Sequence, residues 1–96
     1  MYLVEVYLPR SHADEARATG QRVREAAEAL SRENVPIRYV RTTFLPDDET
    51  CFHVIEAASA EIVEEAGRRA GLGHARVVPA IEASRSGDEP RTQGRG

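Results

Sequence analysis

Cys51 and His53 stand two residues apart in Thr50-Cys51-Phe52-His53-Val54-Ile55, a run whose β-branched and aromatic content reads as an extended strand. Residues two apart on a strand project to the same side, so the thiol and the imidazole share a face. A thiolate and an imidazole so placed can chelate a borderline or soft divalent metal such as nickel, zinc or copper. Two protein ligands do not close a coordination sphere. Glu5, midway along a second strand-like run, is the carboxylate expected to join them, and Glu56, His12, His74 or a residue from a second subunit are further candidates. The same thiol and imidazole are also a pairing used for nucleophilic catalysis, but no residue pattern marks an oxyanion hole or a third, orienting group. No Gly-rich loop cradles phosphate either, because Gly71 and Gly73 follow a helix instead of opening one.

Each of these residues also has a plainer role. Cys51 can be a small buried hydrophobe, and His53 a hydrogen-bonded histidine within a sheet or an interface. A carboxylate in a central strand needs a partner, and Arg41 on the hairpin is the obvious one for Glu5. Tyr7 and Tyr39 read as core or interface aromatics. Arg22, Arg24, Glu25 and Glu28 read as the wet face of a helix.

The elements that must position these groups follow from patterning. Tyr2 to Leu8 alternates, with Tyr2, Val4, Val6 and Leu8 on one face and Glu5 on the other, and stops at Pro9. Ser11 is expected to cap one long helix running to Glu33, with Ala16, Gly20, Val23, Ala27 and Leu30 as a narrow stripe of mostly small residues. Asn34 suits a left-handed stop, and Pro36 prevents continuation. Ile37–Leu45 and Thr50–Ala57 form a hairpin about Pro46-Asp47-Asp48-Glu49. Ser59 caps a second helix whose apolar face is Ile62, Val63, Ala66 and Ala70, and Gly71 ends it. Arg76 to Glu82 is the last strand, and Pro79 marks it as an edge or bulged strand. The order strand-helix-strand-strand-helix-strand, joined by right-handed crossovers, gives an α+β, ferredoxin-like βαββαβ sandwich. Its antiparallel sheet has the order 4-1-3-2 and both helices on one face. The other face is left open, which invites dimerisation or a ligand. That open face is where Glu5, Cys51 and His53 are expected to meet, although a slip of one residue in the hairpin register would send His53 beneath the helices.

Ninety-six residues with 41% hydrophobic content make a single domain with one modest core. The expected organisation is a folded domain over residues 1–83 and a disordered tail over 84–96, where no large apolar residue remains to offset ordering entropy. A net charge of −3 argues against a nucleic-acid partner. Every basic side chain is Arg, so lysine Schiff-base chemistry is excluded. One cysteine allows no internal disulfide and fits a reducing, cytoplasmic compartment. No stretch has the length and apolarity of a membrane span, and the amino terminus lacks a signal peptide's basic start and apolar run.

Tyr2-Leu3-Val4-Glu5 with Leu8-Pro9, then Arg38-Tyr39-Val40-Arg41-Thr42-Thr43-Phe44, resembles a family of small bacterial proteins often labelled nickel-binding proteins. The likeness continues through Cys51-Phe52-His53-Val54-Ile55-Glu56-Ala57 with Ser59, and through Ala70-Gly71-Leu72 to Val77-Val78 and Ile81-Glu82. It implies a ferredoxin-like domain that forms homodimers through its sheets and binds nickel. In that family the strand before Glu56-Ala57 usually carries Cys, and here Cys51 and His53 occupy it. The leading expectation is therefore a cytoplasmic homodimer holding nickel or another divalent transition metal through Cys51, His53 and Glu5. The alternative is a cofactor-independent enzyme of monooxygenase, isomerase or cyclase type with a small-molecule pocket between the sheets. There Glu5 or His53 acts as general base, and Tyr39 or Arg41 holds the substrate.

Overall fold

The computed structural model describes residues 1–81. The proposed tail over 84–96, and the last two residues of the domain expected over 1–83, lie outside them. The chain forms β1 (Tyr2–Tyr7), α1 (Glu15–Arg32), β2 (Ile37–Leu45), β3 (Thr50–Ala57), α2 (Ala60–Arg69) and β4 (Arg76–Pro79). The four strands make one antiparallel sheet in the order β2-β3-β1-β4.

Alternation decides which residues of β1 are buried. Val4 is 1% exposed and packs with Val23, Ala27 and Leu30 of α1 and Val63 and Ala66 of α2 in one cluster with Ile37 and Ile55. Both helices therefore cover the same face of the sheet. Tyr2 and Val6 join this side, while Glu5 between them belongs to the opposite, open face. Several turns behave as their residue types require. Asn34 adopts φ 67° after α1, and Gly71 adopts φ 82° after α2. The Ser59 hydroxyl accepts a hydrogen bond from the Ile62 amide at 3.4 Å, and Ser59→Ala is expected to lower stability by about 1 kcal/mol in chemical denaturation.

Two local expectations are corrected. Ser11 does not cap the first helix: Arg10–His12 form a single 3-10 turn in which the His12 amide donates to Pro9 O, and Asp14 stands at the start of α1 without a side-chain cap bond. The reason is an anchor upstream. The Leu8 amide donates to Glu49 O, and the Arg10 amide donates to the Glu49 carboxylate at 3.0 Å, which ties this segment to the β2–β3 turn. The last strand is also shorter than expected. β4 stops at Pro79, with one last bond beyond it from the Ala80 amide to Met1 O, and Ile81 is 94% exposed. Pro79 does lie on an edge strand, as its ring requires.

β2 carries one irregularity. Its pairing with β3 shifts between Tyr39 and Arg41, so Val40 is an extra, bulged residue. Tyr39 lies opposite Ile55, and Thr42 lies opposite His53. Three residues apart, Tyr39 and Thr42 would face opposite ways on a regular strand. The bulge puts both on the helix side.

Candidate functional site

The register locates every candidate. Val4 lies opposite His53, and Val6 opposite Cys51, so the thiol and the imidazole stand on the helix-covered face. They are almost completely buried, at 1% and 0% exposure. Glu5 lies opposite Phe52 on the open face, and its carboxylate is 4.0 Å from the Arg76 guanidinium of β4. The expectation that Glu5, Cys51 and His53 meet on the open face is thus corrected. Cys51 and His53 come together; Glu5 is on the other side of the sheet. Its charge partner is Arg76 and not Arg41, because β3 stands between β1 and β2.

The remaining candidates are dispersed. Arg41 lies opposite Val54 on the edge strand β2, just past the bulge, and lines the groove between α1 and β2 together with Tyr39 and Thr42, away from Glu5. Glu56 is on the open face in an ion pair with Arg38 at 2.9 Å. His12 is at the surface beside Glu15, and His74 is exposed in the loop before β4. The set Glu5, Tyr39, Arg41 and His53 therefore does not form one catalytic constellation. Among the described residues, no group of three or more His, Cys, Asp or Glu side chains is arranged to hold a metal ion.

What assembles is a chain of four polar side chains under α1. The Tyr39 hydroxyl is 2.7 Å from Thr42 Oγ1, Thr42 Oγ1 is 2.8 Å from His53 Nδ1, and His53 Nε2 is 3.9 Å from Cys51 Sγ. Burial holds the imidazole neutral. Desolvation, with a smaller push from the nearby Arg22 guanidinium, lowers the His53 pKa from 6.5 to about 4. Arg22 is itself fixed by donating to Ala70 O at the end of α2. Burial likewise raises the Cys51 thiol, so the resting pair is a neutral imidazole and a protonated thiol. A neutral imidazole carries one N–H, so the chain can run in either direction. In one, His53 Nδ1–H donates to Thr42, Thr42 donates to Tyr39, and Nε2 presents a lone pair to sulfur. In the other, Tyr39 donates to Thr42, Thr42 donates to Nδ1, and Nε2–H points at sulfur.

Thr42 and Gly20 are the members that residue type alone leaves unnoticed. A Cβ on Gly20 would fall 2.5 Å from Thr42 Oγ1, so only glycine lets α1 lie this close to the hydroxyls. The outer end of the chain opens into a groove of about 430 Å3 between α1 and β2, floored by Tyr39 and Thr42.

A family model described as nickel responsive protein SCO4226-like matches residues 2–79 of the chain. No curated protein and no solved structure matches it significantly.

Proposed function

We propose, from the premise that this chain belongs to the SCO4226-like nickel responsive protein family, that it binds a divalent transition metal, nickel first, through Cys51 and His53. The observation that carries the reading is the 3.9 Å separation of Cys51 Sγ and His53 Nε2. With metal–sulfur and metal–nitrogen bonds of about 2.3 and 2.05 Å, an ion bridging that gap subtends an angle of about 125–130°, close to what low-coordinate sites use. Metals bind neutral imidazole, and His53 is already neutral at physiological pH. The thiol proton must leave as the metal binds, so uptake releases acid. Thr42 serves as the outer group that sets the ring, accepting from Nδ1–H so that Nε2 faces the ion. Glu5 takes no part, and water or a small exogenous ligand fills the positions that one protomer leaves open.

The strand order and the two helices on one face support a ferredoxin-like description. The open face, where Leu3, Phe52 and Val78 are only half-buried between the Glu5–Arg76 and Arg38–Glu56 pairs, supports a homodimer formed sheet to sheet. A single buried cysteine suits a reducing cytoplasm.

The test is calorimetric titration of reduced, tag-free protein with nickel, zinc and copper, alongside Cys51→Ser and His53→Gln variants whose folding is checked by circular dichroism. Saturable binding with proton release is expected for the parent protein, and near-complete loss of it in both variants. Folded variants that retain the parent's binding would overturn the assignment.

A further inference from the structure

The groove between α1 and β2 has a composition that the metal reading does not use. Arg17 and Arg24 of α1 and Arg41 of β2 stand around it, and no acidic side chain lines it. Arg24 is engaged by Glu28 at 3.2 Å, but Arg17 and Arg41 make no ion pair among the described residues. Ala16, Val40 and Phe44 add apolar wall, and the Tyr39 and Thr42 hydroxyls form the floor. Two guanidinium groups without a counter-charge beside a third are unusual in a chain whose net charge is −3. The bulge at Val40 and the missing side chain at Gly20 open the space, whose volume of about 430 Å3 is that of a small-molecule cleft.

We propose that this groove binds a small organic anion, a ring or short chain bearing a carboxylate or phosphate, held by Arg17 and Arg41 with the Tyr39 hydroxyl donating to it. Guanidinium groups match both acids in geometry and charge, and the apolar wall takes the carbon skeleton. Binding has a consequence inside the protein. When the Tyr39 hydroxyl donates to the anion, its oxygen accepts from Thr42, and Thr42 accepts from His53 Nδ1–H. That leaves Nε2 with its lone pair towards Cys51. This last step rests on the metal reading: an anion in the groove and a metal at Cys51 and His53 then favour the same tautomer, and each strengthens binding of the other.

The experiment uses 15N-labelled protein kept metal-free with a chelator, titrated with phenyl phosphate, benzoate and, as a neutral control, benzyl alcohol. Saturable shifts of the Gly20, Val40 and Thr42 amides are expected from at least one anion and none from the alcohol. The Arg17→Gln, Arg41→Gln double variant, altered only at exposed positions, should bind about tenfold or more weakly, and Tyr39→Phe several-fold more weakly. Response to phosphate alone, to carboxylate alone or to both identifies the natural head group. Absence of saturable shifts at millimolar concentrations, or equal binding by the double variant, overturns the proposal. Because no metal is present, failure here leaves the metal assignment standing, and retention of nickel binding by the Cys51 and His53 variants leaves the anion site standing.

Discussion

Acidification from pH 7 to pH 4 is expected to remove about 3 kcal/mol of stability through His53 alone. The imidazole titrates at 6.5 in the unfolded chain and at about 4 in the fold. The unfolded state therefore binds the extra proton throughout that interval, and stability falls as pH drops through it. Above 6.5 the contribution is fully present; below about 4 both states are protonated and nothing further is lost. At 1.36 kcal/mol per pH unit, the lowering from 6.5 to about 4 corresponds to about 3 kcal/mol. His53 is fully buried, so solvent screening does not discount it. Glu33 and Glu65, whose carboxylates Arg69 holds below their usual 4.5, lose their contribution only as pH falls below that value. The two effects thus occupy different windows. Urea denaturation in the presence of a chelator, at intervals between pH 7 and 4, measures the slope. His53→Gln should flatten it above pH 5; a slope equal to that of the parent protein would assign the acid sensitivity elsewhere.

Gly20→Ala sets two forces of opposite sign against each other. Within α1, alanine is a better helix former than glycine and by itself should stabilise by about 0.5–1 kcal/mol. The new methyl, however, would lie 2.5 Å from Thr42 Oγ1 and 3.2 Å from Thr42 Cβ. Forcing these apart costs about 1–3 kcal/mol by the usual measure of overpacking, and it also pulls Thr42 off His53 Nδ1. The clash is larger, so net destabilisation is expected. Thr42→Ala in the Gly20→Ala background removes the closest atom and should recover part of the loss, a non-additivity that a double-mutant cycle reads directly. A stabilised single variant would mean that α1 can move away from β2 at little cost.

The elements were legible because burial on one side leaves a periodic trace. The even positions of β1, the stripe on α1, and the stops at Asn34 and Gly71 all appear in the residue order. The face taken by Cys51 and His53 was not legible, for a physical reason. β3 is central and apolar on both sides: Phe52 and Val54 face one way, Cys51 and Ile55 the other, and no alternation says which side the helices cover. Only pairing with Val4 and Val6 decides it, and it separates Glu5 from the other two. The link from Tyr39 to Thr42 was hidden by the bulge. No glycine marks Val40, and without the extra residue the two hydroxyls stand on opposite sides. Gly20 stood in the expected stripe as a packing residue; its closeness to a hydroxyl depends on where the strand lies and not on the helix.

Both margins of the sheet are poor templates for a further strand. On one side β2 is broken by the extra residue at Val40 and carries Arg38 and Arg41; on the other, β4 is short and ends in Pro79, which has no amide to offer. Growth in the plane of the sheet, the route by which strands recruit other chains into fibrils, is blocked at either end. The homodimer proposed above would use the broad open face instead, where association ends with two molecules and does not propagate.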